Sequence, residues 1–281
     1  MALVVNTNNT STIVQGNLTA ANNAVNKSIE RLSTGYKINH ASDDAAGLSI
    51  AKGIDAQASG TLIAKDNTQH GINLLQTAEG DLDVIQDNLQ RIRDLSVQAA
   101  NGTYSSAEKA MMAAEVNSRM DEITRVANVS KFSGIELLNG NCTEMKLQVG
   151  ANNGDNNQLD VSGALSKATA TALSAQFSKT NVENAFKTSD GANGFIEEVD
   201  KAIAKVSSSR ADIGAIQNRL ETTLTSLDVR YQNMASTLST IQDTDVASEA
   251  ANMTKAQILQ SVSVSLLAQA NSNPSIALNL I

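Results

Sequence analysis

"LQTAEGDLDVIQDNLQRIRDLSVQAA", residues 75–100, decides the fold. Leu75, Ala78, Leu82, Ile85, Leu89, Ile92 and Ala99 step alternately by three and four, with Ser96 the one interruption. That spacing lays the apolar side chains along one side of a helix as a heptad seam, and a seam needs a second helix against it. A partner lies far along the chain. Val199, Ile203, Val206, Ile213, Leu220, Leu224, Leu227, Tyr231, Met234, Leu238 and Ile241 repeat the pattern, broken only by Arg210 and Gln217. At about 1.5 Å per residue this second segment spans about 65 Å.

Working outward, "NGTY" at 101–104 reads as a turn, and Ser105 followed by Glu108 has the spacing of a capping box. A third helix follows, with Met112, Val116, Met120, Ile123 and Ala127 on its inner face, antiparallel to the seam helix. Beyond Gly134 the period changes. Met145–Val149 alternates apolar and polar, "GANNGDNN" supplies turn residues, and Leu159 and Val161 resume the alternation, so a β-hairpin is expected within about 135–162. The Ala/Ser/Thr-rich stretch 163–192 reads as a polar connector.

The two ends match. Residues 1–26 and 256–281 contain no Asp, Glu, Lys or Arg. Leu18, Ala21, Val25, Ile29 and Leu32 form one helical stripe, and Val246, Ala250, Met253, Leu259, Val262 and Leu266 form a looser one. The expectation is that the two pack together or against copies of themselves. The fold class that follows is mainly α: an elongated antiparallel helical bundle or coiled-coil rod with paired terminal helices and a small β-hairpin insert. Its parts are residues 1–44 and 241–281 as a terminal-helix domain, and 45–240 as a helical rod.

Composition agrees. Aromatics are 2% of the chain, Trp is absent and Pro274 is the single proline, so little interrupts long helices. A net charge of −8 without clustered Lys and Arg argues against nucleic-acid binding. No stretch approaches the roughly 18 apolar residues of a membrane span. "MALVVNTNNT" lacks the basic start of a cleavable secretory signal. Lone Cys142 excludes an intrachain disulfide.

Catalytic chemistry finds few candidates. His40 and His70 are the only histidines and neither has a ligand-spaced partner, so solvated positions are expected and no metal or cofactor is implied. Ser42 or Asp43 is expected to cap the helix beginning near "AAGLSIAKGI". "NNGDNN" lacks the spacing and closing Glu of a calcium loop. Gly60, Gly71 and Gly80 within helical stretches suggest close approach between packed helices. Arg91 and Arg93 flank the seam residue Ile92, and Leu95, off the seam, is expected to be an exposed apolar anchor for another subunit.

"SIERLSTGYKINHASDDAAGLSIA" (28–51), "LQRIRDLSVQAANGT" (89–103), "IGAIQNRLETTLTSL" (213–227) and "ANMTKAQILQSVSVSLLAQAN" (251–271) resemble the motifs of bacterial flagellins. The resemblance covers about residues 1–160 and 195–281. It implies a structural, non-enzymatic subunit that polymerises into the extracellular flagellar filament for swimming. It further implies unfolded passage through the flagellar type III apparatus, an export chaperone, and contact with filament-cap and hook-junction proteins. A charge-free end that folds only when docked fits this picture. Leu18, Val25, Ile29, Leu32, Met253, Leu259, Val262 and Leu266 would then serve polymerisation.

In the family, positions matching Arg91, Leu95 and Glu115 contact host Toll-like receptor 5 and neighbouring subunits, and those matching Leu278, Leu280 and Ile281 are sensed inside host cells. Large outer domains have no counterpart here, which implies a thin, smooth filament. Ser162 and Thr169 to Thr171 in the connector are expected to face solvent as acceptors of O-linked glycans. A hook-filament junction protein shares the terminal motifs and is the alternative. An enzyme or small-molecule binding module is disfavoured by the lack of convergent polar residues.

Overall fold

The computed structural model describes residues 7–142 and 144–278, with side chains through 272. The chain divides into two compact units, one reaching to Ala56 and resuming at Asn233, the other Gln57–Gln232. Four long helices dominate: α1 (Asn9–Thr34), α2 (Ala45–Ala100), α6 (Ser189–Gln242) and α7 (Val246–Leu278). Between α2 and α6 lie α3 (Ser106–Val129), β1 (Lys131–Phe132), β2 (Ile135–Glu136), β3 (Lys146–Gln148), β4 (Gln158–Asp160), α4 (Ala170–Leu173) and α5 (Lys179–Ala185). None of the described helices is long and apolar enough to cross a membrane.

In the first unit α1 and α7 pack antiparallel, since Asn8 bonds to Ala270, Asn22 to Gln260 and Ser28 to Glu249. The Asn8 side chain caps α1 by accepting from Ser11 N–H at 3.1 Å. Gly35, at φ 77°, ends α1 in the left-handed conformation that suits glycine. The chain leaving α1 then pairs with the chain joining α6 to α7: Lys37 N–H donates to Gln242 O at 2.7 Å and Thr244 N–H to Gly35 O at 2.8 Å. The cap of α2 differs from expectation. Asp44 accepts from Gly47 N–H at 2.9 Å, while Asp43 turns back to the amides of Asn39 and His40 and to Lys27 at 2.6 Å.

In the second unit the seam of α2 is buried throughout, together with the inner face of α3, Met112 being only partly covered. The α3 capping box is present, with Ser105 and Glu108 satisfying each other's amides. α6 runs antiparallel to α2, tied by Lys65–Asp228 at 2.6 Å, Arg210–Asp83 at 2.7 Å and Arg93–Asp200 at 2.7 Å. The two polar breaks in its seam thereby acquire a reason. Arg210 Nη1 also donates to Gln86 at 2.8 Å, and Gln217 donates to Glu79 at 3.2 Å.

β3 and β4 form the expected hairpin, with Leu147 opposite Leu159. A second, tighter hairpin was not legible: β1 and β2 join through Ser133 (φ 50°) and Gly134 (φ 86°), the two positive angles that a two-residue turn needs. Gly60 and Gly71 are sites of close approach, but to Ala151 and Leu147 of the hairpin rather than to a helix; at Gly80 no neighbour comes within 4 Å of an added Cβ.

The connector departs most from expectation. Leu165, Leu173, Phe177, Val182 and Phe186 are buried in the same core as the seams, and Phe177 and Phe186 both pack on Phe195 at 5.5 and 5.7 Å between ring centroids. α6 begins at Ser189, ten positions before the periodic run, because Thr188 accepts from Gly191 N–H and starts the first turn. Residues 163–192 are therefore an integral wall of the second unit.

Candidate functional site

α1 and α7 meet through small and polar side chains. On α7 the inward positions are Glu249, Met253, Ala256, Gln260, Ser263, Leu267 and Ala270, a heptad of alternating four and three; on α1 they include Leu18, Ala21, Val25, Ser28 and Leu32. Ser28 thus takes the seam position expected for Ile29, which is 50% exposed. Polar bonds reinforce the thin seam: Gln260 Nε2 donates to Asn22 at 2.6 Å, Asn8 Nδ2 to Ala270 O at 2.7 Å, and Arg31 lies 3.5 Å from Glu249.

Most of the large aliphatics of α7 point elsewhere. Ile258, Leu259, Val262, Val264 and Leu266 are between 46 and 59% exposed. The expected stripe through Leu259, Val262 and Leu266 is therefore outside the α1–α7 seam, whereas Val25 is inside it and Leu18, Leu32 and Met253 are half-buried. Small residues win the seam because they let two helix backbones approach closely; the branched residues are left facing outward. Covering one half-exposed Leu or Val would return about 1 kcal/mol. Thr254, Ser261 and Ser265 on the same helix donate their hydroxyls to carbonyls four residues earlier. Leu278 is the last described residue of α7, without its side chain, and Leu280 and Ile281 lie outside the described residues.

On the second unit Arg91 Nε donates to Glu115 at 3.0 Å across α2 and α3, and both remain partly exposed. Leu95 is not with them at the surface: it is 2% exposed and belongs to the core. α2 is covered by α3 as well as α6, so its buried face is wider than one seam and takes in Leu95, Ser96 and Asn88. Ser96 tolerates this by donating to Ile92 O at 2.7 Å.

The expected glycan acceptors separate. Thr171 is exposed, and Ser162 is half-buried with its hydroxyl on Asp160 at 2.6 Å. Thr169 is buried, against expectation, because it stands at the start of α4, whose turn docks into the core. His40 contacts Glu30 at 2.8 Å on the surface, and His70 is exposed on α2. Burial, with Asp160 nearby, pushes the Cys142 thiol above its ordinary pKa, away from a reactive thiolate.

Comparison with known proteins agrees with this arrangement. Residues 5–143 match the bacterial flagellin N-terminal helical region, and residues 196–281 match the bacterial flagellin C-terminal helical region. The chain is 38% identical to a flagellin of Halalkalibacterium halodurans over 91% of each chain, and 33% identical to flagellin FlaB1 of Treponema pallidum over 99% of this chain and all of that one. The fold is shared with a flagellar hook-associated protein of Vibrio parahaemolyticus at TM-score 0.58 and 18% identity, covering 71% of this chain and 99% of that one. Two family matches that between them take in both terminal-helix regions place this chain in the bacterial flagellin family.

Proposed function

We propose that the exposed aliphatic row of α7, together with α1, closes against neighbouring copies, so that the chain polymerises through its terminal helices. The observation that carries this reading is the division of α7 into a seam rich in small residues and an outward row of Ile258, Leu259, Val262 and Leu266. Such a row is costly in water and becomes favourable once covered. As a flagellin the chain is a structural subunit of the extracellular flagellar filament and not an enzyme.

The test is seeded assembly. Full-length protein mixed with sheared filament fragments should grow long filaments by negative-stain electron microscopy, and a variant with Leu259, Val262 and Leu266 changed to Ser should remain folded and monomeric. Filaments from that variant at the wild-type rate would sink the reading.

Finer parts of the reading follow from the same surface. A helix with an uncovered aliphatic row needs cover before docking, which an export chaperone would supply during unfolded passage through the flagellar type III apparatus. The ends of a growing polymer present the same uncovered rows to filament-cap and hook-junction proteins. On the second unit, the Arg91–Glu115 pair is the accessible part of the surface that would meet a neighbouring subunit or host Toll-like receptor 5, with Leu95 supporting it from beneath. Thr171 is the accessible acceptor for an O-linked glycan.

A further inference from the structure

Six of the eight arginines are held in ion pairs within the chain: Arg31 with Glu249, Arg91 and Arg119 with Glu115, Arg93 with Asp200, Arg125 with Glu122, and Arg210 with Asp83. Arg219 and Arg230 form none among the described residues, and both line one cleft of about 260 Å³ between the β3–β4 hairpin and α6. Gly150, Asn156 and Asn157 form its hairpin side, and Thr222, Thr223 and Ser226 its helix side. No carboxylate lines it, although the chain has 29 acidic residues against 21 basic ones.

The chemistry of the cleft selects an anion. Two guanidinium groups, the Ser226 hydroxyl and the Asn156 amide offer donors, whereas Thr222 and Thr223 spend their hydroxyl protons on Asn218 O and Arg219 O of their own helix. Guanidinium groups pair with oxyanions through two parallel N–H bonds, carboxylates and phosphates alike. Arg219 and Arg230 stand eleven residues apart, three turns and so on one side of α6, which sets their Cα atoms about 16 Å apart. That separation suits a segment bearing two carboxylates better than one small ion.

We infer that the cleft between Arg219 and Arg230 receives a carboxylate-bearing segment of a second copy of this chain. The inference rests on the polymer reading above, and the chain itself carries the complementary charge. Its net charge is −8, and Asp87 and Asp212 on the same unit are exposed and in no ion pair among the described residues. In a polymer of identical subunits, such surplus acids are the anions present at highest local concentration.

The test uses the full chain and the double variant Arg219→Gln with Arg230→Gln, whose exposed positions leave the fold intact by circular dichroism. Monomer remaining after seeded assembly is measured by sedimentation at low and high salt. The variant should leave roughly threefold or more monomer than wild type at low salt, and the difference should shrink at high salt. Equal monomer levels at both salts would overturn the inference while leaving the polymer reading untouched. A wild-type chain that fails to assemble sinks the polymer reading instead. The cleft is then decided on the monomer, by NMR of the arginine Nε–H groups. A glutamate-rich peptide should shift Arg219 and Arg230 saturably and inorganic phosphate should not; no saturable shift, or equal binding of phosphate, overturns the assignment.

Discussion

Ser28 and Glu249 are 221 positions apart in the chain and are joined by a hydrogen bond of 2.5 Å from the serine hydroxyl to the carboxylate, inside the seam of α1 and α7. Glu249 is 7% exposed and also faces Arg31. A buried carboxylate with a hydroxyl and a guanidinium as partners fixes the register of two helices whose shared seam is thin and rich in alanine and serine. Glu249→Ala should cost about 1–3 kcal/mol and leave Arg31 without its partner. Hydrogen exchange of α1 and α7 amides should quicken together, while amides of the second unit keep their protection.

Leu89 and Leu266 test two different kinds of apolar residue. Leu89 is fully buried in the second unit, so Leu89→Ala should destabilise that unit by about 2–5 kcal/mol. Leu266 is half-exposed, and Leu266→Ser should change monomer stability by about 0.5 kcal/mol or less yet impair assembly. Urea unfolding and seeded growth, measured side by side, separate the two.

Arg210 interrupts an apolar seam to reach Asp83, Glu79 and Gln86. Its role as a register pin predicts coupling. Arg210→Ala alone should cost about 1–2 kcal/mol, and a double-mutant cycle with Asp83→Ala should return a favourable coupling of about 0.5 kcal/mol or more. A coupling of zero would show that the pair is merely adjacent.

Asp43 carries the clearest pH signature. The Lys27 ammonium first, then the amides of His40 and Asn39, hold its pKa at about 2 against an ordinary 3.8. A depressed carboxylate contributes stability that is present above its unfolded pKa and is lost as pH falls through the folded one. The link from α1 to the start of α2 should therefore persist through pH 3.8 and loosen toward pH 2. Carbon-detected titration should find the low midpoint in wild type and a rise toward 3.8 in Lys27→Ala.

Gly80 and Gly71 sit on the same helix and should respond with different signs. Nothing lies within 4 Å of a Cβ added at Gly80, so Gly80→Ala should gain about 0.5–1 kcal/mol of helix stability. A Cβ at Gly71 would meet Leu147 Cδ1 of the hairpin at 2.4 Å, so Gly71→Ala must displace that side chain and should gain less or lose stability. Thermal melting of the two variants decides this.

Much of this was legible because long-range packing repeats a local period. The seam from Leu75 to Ala99 is a property of one helix and needs no knowledge of what covers it; the Ser105–Glu108 box is likewise local. Leu95 was misread because its burial depends on a second covering helix, α3, on a side of α2 that one seam does not reveal. Phe177 and Phe186 were hidden for a similar reason. They are isolated large residues in a small, polar stretch, and only the position of Phe195 on α6 makes them core. On α7 the eye follows Leu259, Val262 and Leu266 because they are large, whereas the inward heptad runs through Ala256, Ser263 and Ala270. On α7, then, size marked much of what faces outward and smallness much of what faces α1.

The hydroxyls of Thr254, Ser261 and Ser265 are already spent on the backbone of α7. The hydroxyls of this face therefore place no directional demand, as donors, on whatever lies against it. A neighbour seated there is held by fit and by exclusion of water, both of which change gradually with a small slide, whereas a hydrogen bond across the joint would resist the first ångström. Contacts of that kind can be tight and still yield to a small slide between the surfaces that they join.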